Sequence, residues 1–337
     1  MRIMPLSKLF RLGLNFAVAG VFAYLAFHGI EWAEIGPALQ SMQLVPIGVG
    51  CLALAVGFYV RSVRWSSMLR PVNPSLTGLR CLGPFLASFA VNNTIPFRAG
   101  DVLRTVGFRD VLQVPRASVF GSLVLERLMD LLVLVSLLLV GWMAIGFDGL
   151  PRGLGVFAAA VGAATITGLF VLLVFPRVLQ SAVQRVLHWP MIAQLRWHDR
   201  LEKWSDDFWA LLRLVRSPAL TCKLLGWSVL AWGIEGIAFF AVAASLNLEV
   251  AWTGPWLALT AGTLATMLPS TPGHAGTFDY FVVLGIGTAG IAASQAAIYA
   301  LVVHMLLWLP VTAVGLSYLL FQKRFAAPQE KLAAIEE

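Results

Sequence analysis

The sequence predicts an all-α fold: a polytopic transmembrane helix bundle of about six full spans plus two broken, re-entrant hairpins. Three observations lead there. Hydrophobic residues make up 59% of the chain and charged residues 12%, against roughly 45–50% and about 25% in soluble domains. Apolar windows long enough to cross a bilayer recur along the chain. Two stretches interrupt that pattern with proline, glycine and charge; broken backbone at membrane depth is tolerated only where it is buried in protein or lines a wet cavity. The net charge of +7 reads as basic loops facing anionic cytoplasmic lipid, not as a nucleic-acid surface. Residues 1–325 therefore form a single transmembrane domain, with no room for a soluble catalytic domain, and 326–337 a short, frayed cytoplasmic tail.

In chain order, Arg2, Lys8 and Arg11 precede an apolar run over 12–27. No small-residue cleavage site follows, so this reads as an uncleaved first span with its amino terminus in the cytoplasm. The loop 29–43 carries Glu31 and Glu34 without Lys or Arg and is placed outside. A second span, 44–60, returns to Arg61, Arg64 and Arg70, with Arg64-Trp65 reading as an interfacial anchor in preference to a ligand contact. Residues 79–112 are the first broken region: an apolar 81–91, a break at Asn92–Pro96, then charged residues to Asp110. Arginines flank both of its ends, so it dips in from the cytoplasmic side.

A span over 119–146 follows, with Glu126, Arg127 and Asp130 in its first turns, and 153–175 crosses back. The basic 176–222 segment is cytoplasmic, and Trp189, Trp197, Trp204 and Trp209 suggest helices lying at the interface with indoles at headgroup level. A span over 224–246 contains Glu235. Residues 255–290 are the second broken region, interrupted by Pro269-Ser270-Thr271-Pro272-Gly273-His274-Ala275-Gly276. A last span, 296–320, ends at Lys323 and Arg324, so both termini face the cytoplasm of a cell inner membrane.

Each half thus reads as span, broken region, span. Parity puts the ends of the first hairpin inside and those of the second outside, the pattern of an inverted repeat that handles substrate at the repeat interface. Two short crossings over 255–290 keep the same termini and remain the alternative.

The residue types in the two breaks suit an anionic headgroup. Arg98 and Arg104 are permanent, forked donors matched to phosphate oxygens, Asn92 and Asn93 add amides, and a half-helix beginning near Gly100 adds backbone donors. For Arg104 a positive-inside surface anchor is an equal reading. Asp101 is read as neutralising a neighbouring arginine. Glu126, Arg127 and Asp130 either sit at the membrane surface or lie inside the bundle, Arg127 balanced by Asp130 and Glu126 free to pair with Arg98 or carry a proton. Glu235, mid-span, must find a partner, be protonated or line water. His274 either donates to a headgroup or caps a turn, and His304 reads as a hydrogen-bonded packing residue. The five histidines are not spaced for a metal, the three cysteines are scattered, and no nucleotide-binding loop or nucleophile motif is present. No cofactor, no metal and no catalytic residue is expected, nor ATP-driven transport by this chain alone.

Three motifs, Asn92…Pro96-x-Arg98-x-Gly100-Asp101-x-x-Arg104, Glu126-Arg127-x-x-Asp130 and Pro272-Gly273-x-x-Gly276-x-x-Asp279, resemble the signatures of the lysylphosphatidylglycerol synthase transmembrane, or flippase-like, family over roughly residues 8–322. The resemblance implies an integral inner-membrane protein linked to moving lipid between leaflets, here as a stand-alone member to which lipid aminoacylation is not carried over. Asp279 stands where the family usually has glutamate, Asp101 where it often does, and His274 where glycine is usual. The expectation is a protein that binds and translocates an amphipathic lipid, anionic or of polyprenyl or hopanoid type. Its headgroup contacts would come from Asn92, Asn93, Arg98, Asp101, Arg104, Glu126, Arg127, Asp130, Glu235, Pro272, Gly273, His274, Gly276 and Asp279. The alternatives are a membrane scaffold for a lipid-synthesis enzyme and a membrane-embedded lipid-modifying transferase.

Overall fold

The computed structural model describes residues 20–28, 32–96, 98–146, 175–189, 198–215, 217–266 and 271–333, with scattered positions at 17 and between 156 and 171. Every described element is a helix: α1 (Trp32–Gln40), α2 (Leu44–Leu69), α3 (Gly78–Thr94), α4 (Ala99–Val106), α5 (Arg109–Leu112), α6 (Arg116–Ile145), α7 (Pro176–Leu187), α8 (His198–Val215), α9 (Pro218–Ser245), α10 (Thr253–Ala265), a 3₁₀ turn (Pro272–His274), α11 (Thr277–Gly287) and α12 (Ala293–Ala333). Four are long and apolar enough to cross a membrane: α2, α6, α9 and α12 over 293–322. Their outward faces carry exposed Leu52, Val140, Leu309 and Leu320, as helices facing hydrocarbon must. Much of the expected first span and most of the expected span at 153–175 lie outside the described residues.

Several boundaries differ from the sequence reading, each for a local reason. Helix α2 does not stop near residue 60; it runs to Leu69, so Arg61, Arg64 and Trp65 are buried inside the protein and Arg64-Trp65 is no interfacial anchor. Helix α3 continues through Asn92, Asn93 and Thr94, whose hydroxyl bonds back to the Ala90 carbonyl. The first break falls after them, because a residue before proline is driven to extended geometry, and Ile95 adopts φ −117, ψ 133. Helix α6 starts at Arg116, which places Glu126, Arg127 and Asp130 well inside it and not at its surface end. Helix α9 takes in the last residues of the expected 176–222 loop, and α12 runs on through Ala333 where a separate tail was expected. Trp209 is buried in protein rather than placed at headgroup level: its helix packs Phe208 and Leu211 against Gly121 of α6. Trp197 lies outside the described residues.

Two helical hairpins define the middle of the molecule. In the first, α3 is followed antiparallel by α4 and α5: Asn92 meets Asp101, Ser88 lies against Gly100, and Arg80 reaches the Val111 carbonyl. In the second, α10 and α11 run antiparallel with backbone on backbone. A Cβ on Gly285 would lie 2.5 Å from the Ala258 backbone, and one on Gly262 2.5 Å from Val282. The long helices α2 and α9 are also antiparallel, Gln43 meeting Asn247 at one end and Arg64 meeting Ser228 further along.

The hairpins are exchanged between the halves. Helix α3 packs on α12, where Gly315 admits the Leu86 carbonyl and Asn93 donates to Thr312. Helix α10 packs on α6, where Trp256 donates to the Leu137 carbonyl and Gly141 abuts Leu257. Each half therefore docks one helix of its hairpin on the last long helix of the other, while α11 also packs on α12 of its own half. The largest apolar core joins α6, α9, α10, α11 and α12, and a second gathers Trp65, Phe85 and Phe108 around the first hairpin.

Candidate functional site

The tips of the two hairpins meet. Arg98 donates from its guanidinium to the Thr266 carbonyl at 2.9 Å, and Gly273 lies against Asn93 and Trp308. Between the tips lies a cavity of about 170 Å³.

The first tip is held open by its sequence. Pro96 follows the extended Ile95, and Arg98, the N-cap of α4, sits at φ 52 with no side-chain cap of its own. A non-glycine residue in that region is strained and persists only where its surroundings fix it. Asn92 supplies the missing cap. Its carbonyl oxygen accepts from the Gly100 N–H at 2.8 Å while its amide donates to Asp101 at 3.0 Å. Gly100 is needed because a Cβ there would lie 1.8 Å from the Ser88 carbonyl oxygen. The second tip turns through Pro272, Gly273 (φ 67) and His274 (φ 61), and Gly276 (φ 86) begins α11, donating its N–H to the Asp279 carboxylate at 2.8 Å.

Around the cavity the charges pair across helices. Arg64 of α2 forms a forked ion pair with Asp130 of α6, its second bond 3.0 Å long, and also donates to Ser228 of α9 at 2.6 Å. Asp130 accepts a further bond from the Trp232 indole at 3.1 Å. Arg104 of α4 pairs with Glu126 at 2.7 Å while its guanidinium lies 3.9 Å from the Trp65 ring centroid and 4.4 Å from that of Phe85. Arg61 pairs with Glu235 of α9 at 2.5 Å and stacks 4.4 Å from Trp232. Arg127 and Arg98 both reach Asp101, at 3.5 and 4.0 Å. Buried charge is held in a fold only when paired and hydrogen-bonded; these four carboxylates each have at least one guanidinium.

Of the residues singled out in the sequence, Asn92, Asn93, Arg98, Glu126, Arg127, Asp130, Glu235, Gly273 and His274 line this one cavity. Asp101, Arg104 and Asp279 stand behind its wall and hold those that do; Pro272 and Gly276 shape the second turn. Two expected pairings are corrected: Asp130 goes to Arg64, not Arg127, and Glu126 to Arg104, not Arg98. The surface-anchor reading of Arg104 fails, since its side chain is fully buried.

Sequence reasoning missed Arg61, Arg64, Trp232, His304 and Trp308. Arg61 and Arg64 looked like a positive-inside cluster; their spacing of three on a continuous helix, beside a mid-span Glu235, was the available signal. His304 is hydrogen-bonded as expected, through Nδ1 to Asp279 at 2.7 Å, but it also forms part of the cavity wall.

Three arginines (Arg61, Arg98 and Arg127) reach the cavity from three helical segments, and Phe58, Phe89, Phe278 and Leu307 add apolar surface to its lining, the Phe58 ring centroid 5.9 Å from the Arg61 guanidinium. Forked cationic donors beside apolar surface suit an amphiphile with an anionic head. Among the described residues no group of three or more His, Cys, Asp or Glu side chains converges as a metal site would require.

The family described as Lysylphosphatidylglycerol synthase TM region matches residues 13–315. The Haloferax volcanii protein named Glycosyltransferase AglD is 22% identical over 314 residues, covering 85% of this chain and 50% of that protein. The Methanocaldococcus jannaschii UPF0104 membrane protein MJ1078 is 23% identical over 193 residues, 57% of this chain and 77% of that protein. The chain thus spans half the length of the first of these relatives. No solved structure matches it.

Proposed function

We propose, since this chain belongs to the lysylphosphatidylglycerol synthase transmembrane-region family, that it receives the headgroup of an amphipathic lipid between the two hairpin tips and passes the lipid between leaflets. The observation that carries this reading is the convergence of Arg61, Arg98 and Arg127 on one cavity whose lining also includes the apolar Phe58, Phe89, Phe278 and Leu307. The guanidinium groups hold a phosphate-type headgroup, and the acyl or polyprenyl chain stays in lipid. In this reading α3–α5 and α10–α11 are re-entrant hairpins entering from opposite faces, and α2, α6, α9 and α12 are joined by spans at 12–27 and 153–175, making six. Both termini face the cytoplasm of the inner membrane. The lipid leaves chemically unchanged.

Scrambling of fluorescent lipids in proteoliposomes tests the proposal. Wild type moves NBD-phosphatidylglycerol faster than NBD-phosphatidylcholine. Arg98→Ala slows the anionic probe by about ten- to a hundredfold, the equivalent of the ~1.5–3 kcal/mol of a charge-assisted hydrogen bond. Folded protein that moves neither probe ends this reading.

The likeness to a protein named a glycosyltransferase favours one second reading, a membrane scaffold or embedded transferase in lipid modification. That reading predicts that removing residues 189–209 matters more than Arg98→Ala, or that mass spectrometry of recovered lipid finds an altered headgroup.

A further inference from the structure

Charge is distributed unevenly between the two tips. Asp101, at the first, has two arginines within 4.0 Å, Arg98 and Arg127. Asp279, at the second, is buried and among the described residues has no arginine in ion-pair range; its oxygens go to the Gly276 N–H and to His304 Nδ1. Glu126, Asp130 and Glu235 each have an arginine of their own. So the site holds five guanidinium groups and five carboxylates, and the one carboxylate without a fixed cation has a histidine instead.

Histidine is the side chain that gains and loses charge near neutral pH. An ionised carboxylate only accepts hydrogen bonds, so Nδ1 of His304 carries the hydrogen it shares with Asp279. That leaves Nε2 to take up a proton, and it makes no hydrogen bond to any described residue while His304 forms part of the cavity wall. With His304 neutral the site has no net charge; with His304 protonated it carries one positive charge.

We propose that the Asp279–His304 pair is a proton-binding site, and that one proton enters the cavity with each monoanionic headgroup. The inference rests on the lipid-translocation reading and names its coupling ion. The headgroup engages Arg98 and Arg127 at the first tip, and the proton binds Nε2 of His304 at the second, its positive charge shared with Asp279. When the headgroup leaves, Nε2 releases the proton to water on the same side. The other charged or titratable groups lining the cavity with His304 are His274 from the 3₁₀ turn, Arg98 from α4, Glu126, Arg127 and Asp130 from α6, and the Arg61–Glu235 pair from α2 and α9. His274→Gln separates the contribution of that second histidine.

Two measurements test this. In the first, proteoliposomes containing NBD-phosphatidylglycerol are given a gradient of one pH unit. Coupled movement gathers the probe in the leaflet facing the alkaline side, approaching about tenfold asymmetry, while NBD-phosphatidylcholine stays even. His304→Gln and Asp279→Asn abolish the asymmetry and flatten the dependence of rate on pH, which a merely structural role would leave in place. An even distribution of a moving anionic probe overturns the proton coupling and leaves translocation standing. If no probe moves, translocation fails and the second measurement decides alone.

In the second, histidine-labelled wild type is titrated by NMR in detergent, the His304 signal being assigned from its loss in His304→Gln. Adding dihexanoyl phosphatidylglycerol at constant pH raises the protonated fraction of His304, and dihexanoyl phosphatidylcholine does not. A His304 titration that the anionic lipid leaves unmoved overturns the proposal.

Discussion

At the scale of single residues, the buried ion pairs are the most exposed to mutation. Removing one partner of such a pair leaves an uncompensated charge and costs about 3–5 kcal/mol, whereas replacing both with apolar groups of similar volume is often neutral. Glu126→Leu therefore destabilises the protein by about that amount, because Arg104 is left between Trp65 and Phe85 without an anion. Adding Arg104→Leu recovers most of the loss, and a double-mutant cycle of unfolding in detergent measures the recovery. Glu235→Gln strands Arg61 in the same way, but at the cavity wall. Its cost is smaller, since water in the cavity can solvate the freed guanidinium, and its larger effect is on transport of the anionic probe.

Much at this scale was legible in the sequence, and what was not has a physical reason. Asn92, Arg98 and Gly100 stand beside a proline whose backbone effect is local, so the break and its polar residues could be read directly. Arg64 could not be placed that way. An arginine after an apolar run looks the same whether the helix ends or continues into protein, and its partners Asp130 and Ser228 come 66 and 164 residues later. Glu126 was misassigned because Arg127, next to it on the helix, was expected to take Asp130 and leave Glu126 for Arg98 or a proton; the fold gives Asp130 to Arg64 and Glu126 to Arg104. His304 was read correctly as hydrogen-bonded, yet nothing in its surroundings on α12 announces that Asp279 lies opposite.

At the scale of elements, the hairpins depend on close backbone approach, and glycine substitutions separate the tight contacts from the loose ones. Gly100→Ala puts a Cβ 1.8 Å from the Ser88 carbonyl oxygen, and Gly285→Ala puts one 2.5 Å from the Ala258 backbone. In neither case is the obstacle a flexible side chain. Each opens its hairpin, and each lowers the melting temperature and the yield of folded protein. Gly233, in the middle of α9, has nothing within 4 Å of where its Cβ would lie. Gly233→Ala is therefore expected to stabilise by about 0.5–1 kcal/mol, the ordinary gain from removing a helical glycine. Melting the three variants side by side in detergent checks the contrast. The helix-breaking residues made both hairpins visible in the sequence. Their exact ends were not, because Asn92–Thr94 are polar enough to read as loop yet remain in α3 through the Thr94 back-bond.

At the scale of the whole molecule, opposed hairpins make a prediction about sidedness. In a background lacking Cys51, Cys81 and Cys222, single cysteines are placed at Val111, near the base of the first hairpin, and at Thr288, at the base of the second. Val111→Cys should react with a membrane-impermeant maleimide from the cytoplasmic face only, and Thr288→Cys from the outer face only. Labelling of both from one face would show that the hairpins enter from the same side and that the six-span topology is wrong. The sequence could raise this arrangement from charge parity alone. It could not show that the tips touch, because that contact joins Arg98 to Thr266, 168 residues apart.

The exchange of hairpins between halves has a mechanical corollary. Helix α3 is fastened to α12 and α10 to α6, while the two tips are bridged by the Arg98–Thr266 bond and by the turn against Asn93 and Trp308. The second hairpin is held on both sides, α10 by α6 and α11 by α12 through the Asp279–His304 bond, and Arg104 of α4 is tied to Glu126 of α6. The amino- and carboxyl-terminal halves are therefore cross-braced. They cannot part as two rigid bodies about the midpoint of the chain, and spin labels on α3 and α12 keep their separation when an anionic lipid is added.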